Sequence, residues 1–429
     1  MKRKNVWAAI VLIMMAAVVA GCSKDGNNAD GSIVQHQPES AVIPVEPLTS
    51  LELTRAELEM VNSSNEFAFN LFRTAQDEVK SQILSPLSVT FALGMLNNGA
   101  AGETQQQINK VLGFGDTGAD GINDFCYKML QMAPTLDPLT KVMIANTIFV
   151  NKPYELMPDF VQKAKTFYNA EPESRNFYDG LTMDVINKWA SDHTEGLIEE
   201  VLNEFSFDPN AYSYLLNAIY FKGTWAKKFD KALTQDEVFE HAGMTKELIM
   251  MPMMHDWSSF DYAETDDYQA LRLPYGNKSF AMTVLLPKVK DGQYANKLPE
   301  IPTAETWHRL CELMRKSMVE VKLPRFQTDS NFDLIPLMKE LGISDAFVAN
   351  RADFQYLFNM PTFISLMTQT AIIKLDEEGT EAAAVTKDGV CGSERPISYV
   401  KFHANHPFLY VISEQKTGAV FFIGQFTGR

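Results

Sequence analysis

From Leu375 the chain reads LDEEGTEAAAVTKDGVCGSE to Glu394, and any fold proposed for it must find a place for this stretch. The stretch leaves an apolar run (Ile372, Ile373, Leu375), turns acidic at Asp376, Glu377 and Glu378, passes Gly379, and continues as the small residues Ala382, Ala383 and Ala384. Thr386, Lys387, Asp388 and Gly389 follow, and none of them builds a core. Loops of this length are uncommon inside a compact domain and tend to be functional. Side chains this small also fit between two existing strands, so the segment is able to leave the surface and become a strand itself.

The rest of the chain divides into three parts. Met1 to Gly21 has a basic start (Lys2, Arg3, Lys4) and an apolar run from Val6 to Ala20 that is short for a spanning helix, which fits a secretory leader. Its ending, Val19-Ala20-Gly21-Cys22, resembles a bacterial lipoprotein box with Val19 in place of the usual Leu. On that resemblance Cys22 is the lipidated first residue, the protein is held by a lipid anchor on the cell envelope, at the outer membrane, and Ser23-Lys24-Asp25 points toward surface display. Residues 22–57 read as a polar tether, because a Gly-, Asn- and Pro-rich composition cannot bury a core. No linker, repeat or composition break interrupts residues 58–429, so one large domain is expected there.

Charge limits the partners of that domain. The formal net charge is −16, and without Lys2, Arg3 and Lys4 there remain 35 basic against 54 acidic residues, or −19. Such a surface disfavours nucleic acid and anionic lipid and favours solubility. Of four cysteines, Cys22 is reserved for the anchor, which leaves Cys126, Cys311 and Cys391, too few for a disulfide framework. Cys126 and Cys311 fall on helical segments as small buried hydrophobes, and Cys391 lies on the long loop as a candidate exposed thiol.

Periodicity predicts an α+β domain with large mixed or antiparallel sheets. A helix is expected from about Ser63, with Ser63, Ser64 and Asn65 as candidate caps and Ala68, Leu71, Phe72, Ala75 and Val79 on one face. Ser85 and Pro86 open a second helix that is apolar nearly all round until Gly99, and a helix of that kind is buried. Met183–Ala190 and Asn331–Leu341 also read as helices. Strands are expected at Val142–Val150, Tyr214–Phe221, Phe280–Leu286, Met318–Leu323 and Phe363–Leu375, and Phe408–Glu414 and Ala419–Phe426 flank a hairpin turn. The alternation has no regular βαβ period.

Enzyme chemistry finds little support. There is no Gly-x-Ser-x-Gly elbow, His-Glu-x-x-His helix, Walker loop or dinucleotide glycine fingerprint, and the seven histidines are scattered. His403 and His406 have the spacing of a metal pair, but alternation beside a strand sends them to opposite faces. The run Met250, Met251, Met253 and Met254 reads as core packing rather than a soft-metal surface.

DEEGTEAAAV resembles the reactive-loop hinge of the serpins. ILSPLSVTFALGMLNNGAAGET (Ile83–Thr104), LLNAIYFKGTWAKKFD (Leu215–Asp230), LRLPYGNKSFAMTVLLP (Leu271–Pro287), VKLPRFQTDSNFDL (Val321–Leu334), LGISDAF (Leu341–Phe347) and VKFHANHPFLYVI (Val400–Ile412) resemble further family blocks in the family's order. The resemblance implies the serpin fold, a reactive loop over about residues 377–398, and a suicide-substrate protease inhibitor. A protease cuts the loop as substrate, forms an acyl-enzyme, and the loop then inserts into the main sheet. A monomer with no cofactor and no catalytic residues is implied, with target proteases as partners. The hinge would be Glu377, Glu378, Gly379, Thr380, Glu381, Ala382, Ala383 and Ala384, and the region where the sheet opens would include Ser85, Ser88, Asn217, Trp225 and Gln369. Capping and core packing account equally well for Ser85, Ser88, Asn217 and Trp225.

Counting the family's loop length from Glu377 places the cut between Ser393 and Glu394, with Gly392-Ser393 and Cys391-Gly392 as alternatives, while Pro396 disfavours cleavage after Arg395. A small residue before the cut favours elastase-like or subtilisin-like serine proteases, or papain-like cysteine proteases. Alternation would bury Thr380, Ala382, Ala384 and Thr386 on insertion, and it would also turn Asp388 inward, where an unpaired carboxylate is costly. Gln369 stands where most family members carry His. A non-inhibitory serpin cut as a plain substrate is the competing reading, and a lipoprotein hydrolase a more distant one.

Overall fold

The computed structural model describes residues 49–114, 118–241, 248–288, 301–380 and 399–428, all within the unit Pro44–Arg429. The helices are α1 Arg55–Ala75, α2 Pro86–Asn97, α3 Gly102–Leu112, α4 Gly118–Met132, α5 Pro158–Tyr168, α6 Thr182–His193, α7 Ala304–Leu313 and α8 Leu334–Leu341. The strands are β1 Gln82–Leu84, β2 Thr140–Asn151, β3 Glu173–Arg175, β4 Ser213–Thr224, β5 Gln235–Glu240, β6 Leu248–Glu264, β7 Tyr268–Pro274 and β8 Phe280–Pro287. They continue with β9 Arg315–Pro324, β10 Phe326–Asp333, β11 Leu366–Asp376, β12 Gly379–Thr380, β13 Val400–His403, β14 Phe408–Glu414 and β15 Val420–Phe426.

Among the described residues these strands form two sheets. One runs β10-β11-β12-β4-β2-β3; the other runs β1-β15-β14-β8-β7-β6-β9-β13, with β5 on β6. Between them lies α2, and its sequence explains why: PLSVTFALGMLN has no polar face to offer water, and every residue of the helix is buried. It packs on β4 and β2 of the first sheet and on β15 of the second. Ser85 caps it by accepting from Ser88 N, as the sequence predicted. A smaller core, including Phe177, Ile186, Trp189 and Tyr214, lies under α6 on the other face of the first sheet.

Four expectations need correction. Helix α1 starts at Arg55, because Thr54 and Glu57 form a capping box; Ser64 and Asn65 are buried inside it rather than capping it. Asn65 instead donates to Gly418 O at 3.0 Å and accepts from Val420 N at 3.0 Å, tying α1 to the β14–β15 turn. Leu51 is buried and Ser279 Oγ donates to Thr49 O, so the expected tether boundary at 57/58 falls inside packed chain. Asn331, Phe332 and Asp333 are not helical: they extend β10 along β11 as far as Thr368, and the Asp333 carboxylate then caps α8. In the methionine run Met253 and Met254 are fully buried, but Met250 is exposed, because β6 is an alternating strand at that point.

Candidate functional site: the hinge and the sheet seam

β11 ends at Asp376, and Glu377 and Glu378 turn the chain so that Gly379 and Thr380 fold back into the sheet as β12. This two-residue strand is antiparallel to both neighbours. Leu375 and Asp376 pair with Thr380 and Gly379 on one side, and Thr224 and Gly223 pair with Gly379 and Thr380 on the other. Lower down β11 and β4 pair directly and in parallel, from Leu366 opposite Tyr214 to Ala371 opposite Ile219. The seam is therefore closed at one end and wedged at the other.

Local chemistry fits the wedge to its place. Gly379 has φ +149°, and a Cβ there would lie 2.0 Å from Gly223 O and 2.8 Å from Thr224 Cα, so only glycine passes. Thr380 is fully buried, with its hydroxyl 2.7 Å from that of Tyr275. Tyr275 in turn stacks on Trp225 at 4.5 Å between centroids and 9° between planes. Trp225 holds the turn directly, its indole Nε1 donating to Asp376 O and its backbone N–H to Glu378 O, each at 2.9 Å. Phe229 N–H donates to Glu377 O at 3.0 Å.

Both turn carboxylates are buried and paired. Arg325 donates to Glu377 Oε1 at 2.5 Å and Thr234 Oγ1 to the same oxygen at 2.7 Å. Lys228 Nζ approaches Glu378 Oε2 at 2.8 Å, as a charge contact rather than an aligned hydrogen bond, and Lys231 Nζ lies 3.1 Å from Oε1. Burial alone would raise both pKa values. The hydrogen bonds from Arg325 and Thr234 on Glu377, and the ammonium groups of Lys228 and Lys231 beside Glu378, outweigh it and leave both lowered from 4.5.

The closed end is held by neutral groups. Gln369 on β11 stands opposite Asn217 on β4, and Asn146 on β2 stands opposite Asn217 from the other side. Gln369 Oε1 accepts from Ser85 N–H at 2.9 Å. Its Nε2, with two protons to give, lies 2.8 Å from Ser85 O, 2.7 Å from Ser88 Oγ and 2.7 Å from Asn217 Oδ1. Ser88 Oγ also donates to Asn217 Oδ1 at 2.6 Å, and Asn217 Nδ2 donates to Asn146 Oδ1 at 2.7 Å. All five side chains are buried beneath the seam, against the start of α2.

The structure thus gathers Ser85, Ser88, Asn217 and Gln369 into one network and places Trp225 with Glu377, Glu378, Gly379 and Thr380 at the wedge. Glu381, Ala382, Ala383, Ala384, Asp388, Cys391, Ser393, Glu394 and Cys22, the expected lipidation residue, lie outside the described residues. Sequence reading missed Asn146, Tyr275, Thr234, Lys228, Lys231 and Arg325. Lys228 stood inside a quoted block, but nothing local tied it to a glutamate 150 positions away. His403 and His406 part as expected: His403 Nε2 lies 3.6 Å from Glu320, while His406 Nε2 meets Pro287 O at 2.9 Å. Burial raises the Cys126 and Cys311 thiol pKa values, which suits packing rather than reactivity.

Comparison with known proteins adds to this geometry. The family model described as Serpin (serine protease inhibitor) matches residues 62–428. Serpin B6 of Macaca fascicularis is 32% identical over 374 residues, covering 86% of this chain and 99% of that protein. Among solved structures, the thermophilic serpin Tengpin in its native state superposes with a TM-score of 0.80 at 26% identity, over 89% of this chain and 97% of Tengpin. Thyroxine-binding globulin in complex with thyroxine superposes with a TM-score of 0.76 at 26% identity, over 86% and 99% of the two chains.

Proposed function

The chain belongs to the serpin family, whose members are typically protease inhibitors, and from that premise we propose that it traps proteases as a suicide substrate. The observation that carries the proposal is the wedge: Gly379 and Thr380 already occupy a strand position between β11 and β4. Of the residues that follow, Ala382 to Ala384 are small enough to continue the same strand, and strand alternation turns Glu381 outward. The protease's serine or cysteine attacks the Ser393 carbonyl, an ester or thioester forms, and the Glu394 amine leaves. Freed at that end, the loop zips between β11 and β4. One direct ladder is exchanged for two new ones, and at about 1 kcal/mol net per added hydrogen bond a dozen bonds supply on the order of 10 kcal/mol toward distorting the bound protease. The serpin provides bait and sheet, and the bond chemistry is the protease's.

Elastase-like, subtilisin-like and papain-like enzymes are the proposed targets, from the small residue at Ser393. The proposed location is the outer side of a bacterial envelope, anchored through Cys22. A non-inhibitory member is the second reading, favoured by Asp388, which insertion would turn inward.

The deciding experiment mixes the protein with elastase, subtilisin, papain and trypsin in turn, followed by a denaturing gel and sequencing of any released peptide. Inhibition gives a band at the summed mass and a 36-residue fragment, Glu394 to Arg429. Cleavage of the loop by every protease with full retention of protease activity would establish the non-inhibitory reading instead. Labelling of cells with a radioactive fatty acid, lost in Cys22→Ser, tests the anchor.

A further inference from the structure

Beside the wedge, behind Trp225, lies a cavity of about 310 Å³ with apolar walls from Trp225, Phe260 and Pro274. Its polar lining runs against the character of the whole chain, which carries −16. Lys227, Arg272, Lys278 and Lys316 line it, against a single carboxylate, Asp261. Two of the four cations are already matched: Lys227 Nζ lies 2.7 Å from Asp256, and Lys316 Nζ lies 3.1 Å from Asp261. Arg272 and Lys278 have no ion pair among the described residues.

Arg272 is the decisive group. Strand alternation on β7 turns it inward, opposite Asp261 on β6 and Thr283 on β8, and it is only 9% exposed. Its Nε has no hydrogen-bond partner, and the polar group it meets is the Cys311 thiol, which burial keeps protonated. A guanidinium stays charged at any physiological pH, and a buried charge with no carboxylate in ion-pair contact is costly. An anion in the cavity would relieve that cost.

We infer that this cavity binds a small organic carboxylate with a flat apolar body, its carboxylate on Arg272 and Lys278 and its body against Trp225 and Phe260. Paired N–H donors suit a carboxylate's two oxygens, and the aromatic walls select against a bare inorganic anion. The volume is that of a small-molecule site. Trp225 is shared with the hinge turn, so ligand and hinge meet at one side chain.

Indole-3-acetate is the probe, titrated calorimetrically into the full-length protein, with tryptamine as its cationic counterpart and inorganic phosphate as the bare anion. One-to-one binding is expected with Kd on the order of 0.1 mM, as befits a ligand of this size. Arg272→Gln should weaken it at least about tenfold. Lys278→Glu, at an exposed turn that leaves the core untouched, should weaken it by about threefold and more at low salt. If Arg272→Gln melts early, Lys278→Glu decides. Binding of tryptamine or phosphate as tight as that of indole-3-acetate would overturn the inference. So would affinity unchanged in Lys278→Glu, or no saturable heat up to about 10 mM, a concentration beyond any useful affinity.

Discussion

Toward the hinge, the β11–β4 seam is parted by two residues and held by ion pairs and the Trp225 indole; toward Leu366 the same two strands are closed over a buried set of amides and hydroxyls. The two ends differ in the physics that holds them. Glu377 and Glu378 answer to pH and salt, whereas Gln369, Asn217, Ser85 and Ser88 carry no titratable group and sit out of reach of ions. Such a seam yields from one end only. Opening the amide end means orphaning buried donors and acceptors, while lengthening the wedge needs only that β11 and β4 separate one residue pair at a time.

The sharpest way to break this contrast is Gly379→Val. Positive φ and the 2.0 Å approach to Gly223 O together forbid the wedge, at about 3 kcal/mol or more. The yield of covalent complex with a target protease should fall at least about tenfold, since about 1.4 kcal/mol on the insertion step already gives that factor. An unchanged yield would show that the wedge plays no part in trapping. Next is Gln369→Leu, which strips Ser85 N–H of its acceptor and leaves Asn217 and Ser88 short of a donor. Urea unfolding should register a loss of about 2 to 3 kcal/mol, independent of pH between 5 and 8 because nothing in the network titrates.

Smaller and opposite in character is the double change Glu377→Gln, Glu378→Gln. Both carboxylates have folded pKa values below the ordinary 4.5, so their contribution is complete above that value and drains away as pH falls through the lower folded values. Tryptophan fluorescence of the wild type should therefore report release of the turn in acid below about pH 4.5, and the double variant should lack that transition, having lost about 1 to 2 kcal/mol at neutral pH. At the bottom of the scale, Lys188→Ala removes an exposed i,i+4 pair with Asp192 on α6, remote from both ends of the seam. Its effect should stay within about 0.5 kcal/mol.

Much of this was written in local patterns. The all-apolar run after Ser85-Pro86 could only be a buried helix, and β14 and β15 followed from two apolar runs flanking the turn Gln415-Lys416-Thr417-Gly418. The start of α1 was misplaced because its first turns are exposed and polar, and only the Thr54–Glu57 pairing marks them. Asn331 to Asp333 looked helical beside α8, but pairing with β11, remote in sequence, decides their state. The turn into β12 was legible through Gly379. Its holders were not, because Lys228, Arg325 and Tyr275 reach Glu378, Glu377 and Thr380 from distant elements with no periodic signature.

On either side of residues 381–398 the chain is fastened to different sheets: Thr380 to β4, and Val400, through β13, to β9. An uncut chain is thus moored at both banks, and advancing the wedge draws the far mooring toward it until β13 must peel from the four positions Val319 to Lys322. On the proposed insertion mechanism, the shelf life of the uncut form is set by how firmly that short edge strand clings, a clock running independently of any protease.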